Sequence, residues 1–193
     1  ISFINRFIFE LLISFRIFFL IFKVKKLKHY DVLIWYSPTI FWGPLIFTLS
    51  FFRKSYKYLI LRDIFPQWSI DLNIIKKGSF SHKLLNFFEN LQYRVADKIG
   101  LNSEGNLSYF QNKTNYLKKT EVLETWYKTD FNEKLLPKNI LQKIPKDKKI
   151  LLYIGNMGLA QDQDFFIKLV KKMRFDESFV FLVVGTKEKD KKN

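Results

Sequence analysis

The chain has 193 residues, enough for one large domain or two small ones. At 48% hydrophobic it can build a packed core, which excludes wholesale disorder; with no cysteine it excludes a disulfide framework, a Cys-based metal site and a Cys nucleophile. Its net charge of +15 fits a well-solvated surface, and also fits anionic lipid, nucleic acid or phosphorylated ligands.

Residues 3–22 are the most apolar segment. Phe3, Phe7, Leu11, Phe15, Phe18 and Phe22 fall on one helical face, and Arg6, Glu10 and Ser14 mark the opposite face in the first half. A membrane-spanning helix needs about 20 apolar residues with few charges, and Glu10 and Arg16 inside this window weigh against one. No small-residue cleavage site follows, so the segment does not read as a signal peptide. Lys23, Lys25, Lys26 and Lys28 come next, and residues 1–30 carry six Lys/Arg against one acidic residue. An apolar helix beside a basic cluster reads as a membrane-surface helix, with these four lysines facing anionic lipid. The alternative is a helix packed on a sheet, with the lysines in its solvated exit loop.

Asp31–Tyr36 reads as a buried strand ended by Ser37-Pro38, followed by a helix over about 40–52. Lys57–Leu61 is a second strand, leading into Arg62-Asp63-Ile64-Phe65-Pro66. Ligands gather outside the carboxyl ends of strands in open α/β sheets, so Arg62 and Asp63 are site candidates, to which the resemblance given below assigns a catalytic role. Their plain alternative is a local ion pair in a turn. Trp35, Tyr36 and Trp42, near a strand end, could line a cleft, and a core or membrane-edge role suits them at least as well. Ser79 or Ser81 can cap the next helix, whose spacing runs from Phe80 to Val95 with Glu89 and Arg94 exposed or paired. Lys98–Asn102 is a short strand, Glu104 opens a short helix to about Asn112, and Glu121–Trp126 is a further strand. Residues 127–149, with two prolines and seven lysines, read as a linker between a domain over 1–126 and another over 150–193.

Ile150–Ile154 is an apolar strand followed at once by Gly155 and Gly158. A helix then buries Phe165, Phe166, Leu169, Val170 and Met173, with Asp162 and Asp164 at its first turn, and Phe179–Val184 forms a second strand. Glycines at a strand end, backed by a helix N-terminus, suit a phosphate; a tight turn without a ligand suits them equally. His29 and His82 are too few and too far apart for a metal site. Alternating strands and helices on both sides of a basic linker predict an α/β fold of two Rossmann-like halves, the first lacking its opening strands and the second only begun. An Ile start and a charged end at 187–193 point to a piece clipped at both ends.

Three blocks resemble bacterial family 4 glycosyltransferases. Tyr58-Leu-Ile-Leu-Arg62-Asp63-Ile-Phe-Pro66 resembles their strand–Arg-Asp-x-Trp-Pro segment. Glu89-x-x-x-Tyr93-Arg94-x-Ala96-Asp97 resembles their Glu…Tyr-Arg-x-Ala-Asp helix exit, with Ser103 as their following Ser. Tyr153-Ile-Gly155-Asn156-Met-Gly158-x-Ala-Gln161 resembles the opening of their donor domain. The similarity covers roughly Tyr30 to Gly185 and looks nearest to the O-antigen and capsule branch, including N-acetylfucosamine-type transferases. It implies a GT-B fold and a retaining transfer of a sugar from a nucleotide-sugar to a lipid-linked glycan acceptor, with no metal cofactor and no nucleic acid. The place would be the inner face of the cell membrane, on the cytoplasmic side. Gly155, Asn156, Gly158, Gln161 and Ser103 would bind the donor; Asn156 and Gln161 stand where many relatives have Arg and Lys. The family's first Gly-rich loop and its Glu-x7-Glu pair have no counterpart here, so the chain alone is expected to be inactive. Competing readings are a decayed transferase fragment, an epimerase of similar two-domain build, and a basic nucleic-acid binder. The last is disfavoured because the aromatics are mostly Phe at core-like spacing.

Overall fold

The structure is a computed structural model, and it describes residues 3–23, 30–37, 39–126, 142, 144–156 and 161–185. The chain divides into two compact units, Ile1–Tyr127 and Lys128–Asn193. Most of the basic stretch expected as a linker over 127–149 falls outside the described residues.

The first unit is a four-stranded parallel sheet flanked by helices, compatible with a Rossmann-like α/β fold. The helix α1 (Phe3–Lys23) precedes β1 (Val32–Tyr36), α2 (Trp42–Phe52) and β2 (Tyr56–Leu61). A short α3 (Gln67–Asp71) leads to α4 (Phe80–Val95) and β3 (Lys98–Leu101); a 3-10 turn (Glu104–Asn106), α5 (Leu107–Gln111) and α6 (Thr114–Leu117) lead to β4 (Thr120–Val122). The strands lie in sequence order, β1-β2-β3-β4, with Trp35 opposite Leu59, Leu59 opposite Ile99 and Leu101 opposite Val122. Parallel neighbours require crossovers, and helical segments supply each one.

The core forms on the sheet face that presents Trp35, Leu59, Leu61, Ile99 and Leu101. It closes with Ile46 from α2, Tyr93 and Val95 from α4, and Phe110 from α5. Trp35 is therefore a core residue and does not line a cleft; Trp42 packs partly against the same cluster, while Tyr36 is exposed. Two local devices set the helix positions. Ser79, at the N-cap of α4, accepts a hydrogen bond from the His82 amide at 3.2 Å. Gly43 lets α2 cross α4 closely, since a Cβ there would stand 2.9 Å from the backbone nitrogen of Gln92. Gly43→Ala is expected to lower the unfolding free energy by about 1–3 kcal/mol through overpacking. Urea titration followed by circular dichroism reads this, and a parent-like midpoint would contradict the close crossing.

Asp97 clasps the exit of α4 to the start of β2. Its carboxylate accepts from the Lys57 amide at 2.9 Å and pairs with Lys57 Nζ at 2.8 Å, while its own amide donates to the Lys57 carbonyl at 2.8 Å. Across the sheet, the Tyr58 hydroxyl donates to Glu121 Oε1 at 2.8 Å, and Lys98 pairs with the other carboxylate oxygen at 3.2 Å. Burial, then the hydrogen bond to Glu121, pushes the Tyr58 phenol up to about 12. A raised folded-state value favours the protonated phenol, so this contribution is whole below pH 10 and is lost between pH 10 and about 12. Urea titrations at pH 9 and pH 11.5 should show a larger alkaline loss for the parent than for Tyr58→Phe. Equal losses would mean Tyr58 carries none of it.

Several expectations shift. The strand expected over Glu121–Trp126 is β4, Thr120–Val122, because residues 123–126 leave the sheet after the Leu123 amide bonds the Leu101 carbonyl at 2.7 Å. The helix from Glu104 to Asn112 is a 3-10 turn followed by the short α5. Ser14 does not lie on an outer polar face of α1: it is buried, and its hydroxyl donates to the Phe41 carbonyl at 2.9 Å. Phe15, on the apolar face, is 57% exposed. The buried Ser14 hydroxyl is satisfied by that bond in place of water. α1 packs on α2, and the side chains of Phe3, Phe7 and Phe22 lie outside the described ones. Among the described residues no helix is long and apolar enough to cross a membrane.

The second unit, as described, is a strand–helix–strand: β5 (Lys149–Ile154), α7 (Gln163–Lys172) and β6 (Phe179–Val184). Its strands are parallel, with Ile154 opposite Val184. Phe166 packs on Tyr153 and Phe181, with ring centroids 5.3 and 6.2 Å away. Phe165 and Leu169, expected on the inward face of α7, are exposed; the stripe turned inward is Phe166, Val170 and Met173.

Candidate functional site

The carboxyl ends of β2, β3 and β4 carry a polar cluster. Arg62 follows β2 directly and Asn102 follows β3 directly, and the pairing of Leu61 with Leu101 brings them side by side. Arg62 Nη1 donates to Asn102 Oδ1 and, at 2.7 Å, to Thr125 Oγ1. The Thr125 hydroxyl donates to Asn102 Oδ1, also at 2.7 Å. The indole of Trp126 covers the guanidinium, whose carbon lies 5.3 Å from the ring centroid. One face and one nitrogen of Arg62 are thus fixed by three neighbours. The remaining guanidinium N–H groups have no partner among the described residues, so they can meet an anionic or carbonyl group arriving at the sheet edge.

Asp63 is exposed at the same edge and makes no ion pair with Arg62 among the described residues, so the local ion pair weighed as an alternative is absent there. Ser103, next to Asn102, is exposed and precedes the 3-10 turn without a side-chain cap. Arg62, Asp63 and Ser103 thus stand at one edge of the first unit. Asn102, Thr125 and Trp126 were not singled out from sequence. The legible signal for Asn102 was strand-end alignment: parallel neighbours bring the residues just after each strand together. Thr125 and Trp126 gave no such signal, because β4 ends at Val122, four residues before the expected end at Trp126.

The Glu…Tyr-Arg-x-Ala-Asp block serves structure. Glu89 is only 1% exposed. Its Oε1 accepts from the Tyr93 hydroxyl at 3.0 Å and the Tyr109 hydroxyl at 2.6 Å, and its Oε2 from Lys113 Nζ at 3.2 Å. Lys113 also donates to the Tyr109 oxygen at 2.6 Å. Burial, reinforced by the charge of Glu89, holds both phenols far above the usual tyrosine range. This cluster staples α4 to α5 and the turn before α6. Arg94 is exposed.

In the second unit, Gly155 and Asn156 follow β5, and Gly158 lies outside the described residues. Gly155 is partly exposed; its amide donates to the Val184 carbonyl at 3.0 Å. The atoms nearest a Cβ there belong to the Tyr153 side chain, whose hydroxyl would stand 3.3 Å away, so an added side chain requires that ring to shift slightly. Gly185 is the glycine the backbone demands, since a Cβ there would stand 1.9 Å from the Gly155 carbonyl oxygen. Gln161 is exposed. The N-terminus of α7 is already capped by the Asp162 carboxylate, which accepts from the Phe165 amide at 3.1 Å. That negative group opposes a phosphate on the same amide.

Lys23 is exposed at the end of α1, whereas Lys25, Lys26 and Lys28 lie outside the described residues. His82 Nδ1 accepts from the Gly78 amide at 2.9 Å. Among the described residues no three His, Cys, Asp or Glu side chains gather as a metal site. Comparison with protein-family models finds no match to this chain, and comparison with curated proteins finds none either.

Proposed function

We propose that the chain serves a retaining glycosyltransferase of GT-B build, with the first unit receiving a lipid-linked glycan acceptor and the second opening the nucleotide-sugar domain. The observation that carries the reading is the Arg62, Asn102, Thr125 and Trp126 cluster at the carboxyl edge of a parallel sheet, the edge where open α/β sheets bind ligands. A guanidinium held from one side and open on the other is suited to the negative charge of a phosphate-bearing substrate. Asp63, exposed beside it, adds a carboxylate within the same edge. Gly155, Asn156 and Gln161 supply backbone and amide donors for the donor diphosphate, with no cation required of them. The apolar exposed arc of α1 supports a peripheral place on an anionic membrane.

The test is a transfer assay with the whole gene product and membranes. Labelled UDP-, GDP- and dTDP-sugars are supplied in turn, and label is counted in the lipid extract. The reading predicts lipid-extractable label from one nucleotide class. No label from any of them overturns it.

A further inference from the structure

An apolar cavity of about 420 Å³ lies between α1, α2 and α4. Leu11, Phe15 and Phe18 line it from α1, Phe41 and Leu45 from the start of α2, and Phe88 from α4. Its size falls in the range of ligand sites, about 300–1,000 Å³. Two hydroxyls border it, and both are already engaged. Ser14 donates to the Phe41 carbonyl, and Thr48 donates to the carbonyls of Pro44 and Leu45 at 2.6 and 3.0 Å. The lining therefore has no free donor to offer a polar ligand, and a hydrocarbon is the chemistry it accepts.

What lies outside the opening narrows the source. Phe15 and Phe19 line the cavity and are also exposed, at 57% and 63%. They belong to an exposed apolar stripe with Ile8, Phe9, Leu12, Ile13 and Leu20. At 100° per residue this stripe spans an arc of about 160°. Arg16 and Lys23 are exposed and fall inside that arc. A protein groove laid over the stripe would have to bury both cations. A phospholipid interface takes the apolar stripe into its acyl layer and meets both cations with headgroup phosphates. The chain's +15 charge favours anionic headgroups.

We propose that this cavity receives one acyl chain of an anionic phospholipid from the bilayer on which α1 rests. The inference rests on the membrane-docking part of the reading above and is independent of sugar transfer. An acyl chain between α1 and α2 would hold the first unit at a fixed depth on the membrane.

The probe is a vesicle of three parts phosphatidylcholine to one part phosphatidylglycerol, the latter carrying a photoactivatable diazirine within one acyl chain. Vesicle pelleting is read first, and cross-linked residues are then mapped by mass spectrometry. The inference predicts label on Phe41, Leu45 and Phe88 in the cavity wall as well as on α1. In Thr48→Trp, which fills the cavity, label on those three should fall at least fivefold while pelleting stays unchanged. A circular dichroism melt checks that this variant folds; if it does not, the parent labelling pattern decides alone. Pelleting with label confined to the outer stripe of α1 overturns the inference and leaves docking standing. No pelleting overturns both, and the transfer assay still judges the sugar chemistry separately.

Discussion

Glu89→Ala is expected to lower the unfolding free energy by about 3–5 kcal/mol, the cost of breaking a buried charged network by removing one partner. The carboxylate is the shared acceptor for three donors on two other segments and on its own helix. Its loss strands the hydroxyl of Tyr93, which is fully buried, and each stranded buried donor costs about 1–3 kcal/mol. Lys113 suffers less, because it is partly exposed and keeps its contact with the Tyr109 oxygen. Glu89→Gln should recover part of the loss, since the amide oxygen still accepts while the amide nitrogen faces donors. Urea titration of both variants reads the order parent, Gln, Ala. A change below about 1 kcal/mol in Glu89→Ala would mean that Glu89 does not join α4 to α5.

Arg62→Ala should lower the transfer rate by about 10²–10³-fold with little change in melting temperature, the range seen when one group that stabilises developing charge is removed. Arg62 lies outside the hydrophobic core, so its removal opens no large cavity. Arg62→Lys should not restore the rate. A lysine cannot donate to Asn102 and Thr125 while stacking a planar cation on Trp126 and keeping further donors outward. If Arg62→Lys works as well as the parent, the planar, multiply bonded geometry has no role.

The alternation of elements was legible in the sequence because apolar runs of strand length alternate with segments of helical period. Val32–Tyr36, Tyr56–Leu61 and Phe80–Val95 fall within a residue or two of where periodicity and capping put them. The shorter pieces were less legible. β4 is three residues long, and Leu123 bonds the ladder without extending the strand. The rotation of α1 was illegible for a different reason: Ser14 looked polar and outward, but its hydroxyl satisfies a buried carbonyl contributed from far along the chain. Hydrophobic period cannot anticipate such a tertiary hydrogen bond.

The candidate site was half legible. Arg62 and Asp63 followed from their place after a strand. Thr125 and Trp126 reach Arg62 only because the chain bends away after β4, a geometry fixed by long-range pairing. The Glu89, Tyr93 and Asp97 pattern was legible as a motif, but only the structure gives its physical reason: a buried staple at one end of α4 and a clasp to the sheet at the other. At Gly155, the glycine expected to matter in the second unit, a Cβ would press on the Tyr153 side chain, whereas at Gly185 it would collide with backbone.

The most direct measurement follows the indole N–H of Trp126 by two-dimensional NMR. Trp126→Phe assigns it among the four tryptophans. A soluble short-chain prenyl diphosphate is titrated into the parent and into Arg62→Ala. The account predicts a saturable shift of the Trp126 signal in the parent and its loss in Arg62→Ala, because the phosphate meets the guanidinium that Trp126 covers. A Trp126 signal that stays in place at saturating ligand, or shifts equally in both proteins, would contradict a substrate site at the carboxyl edge of the sheet.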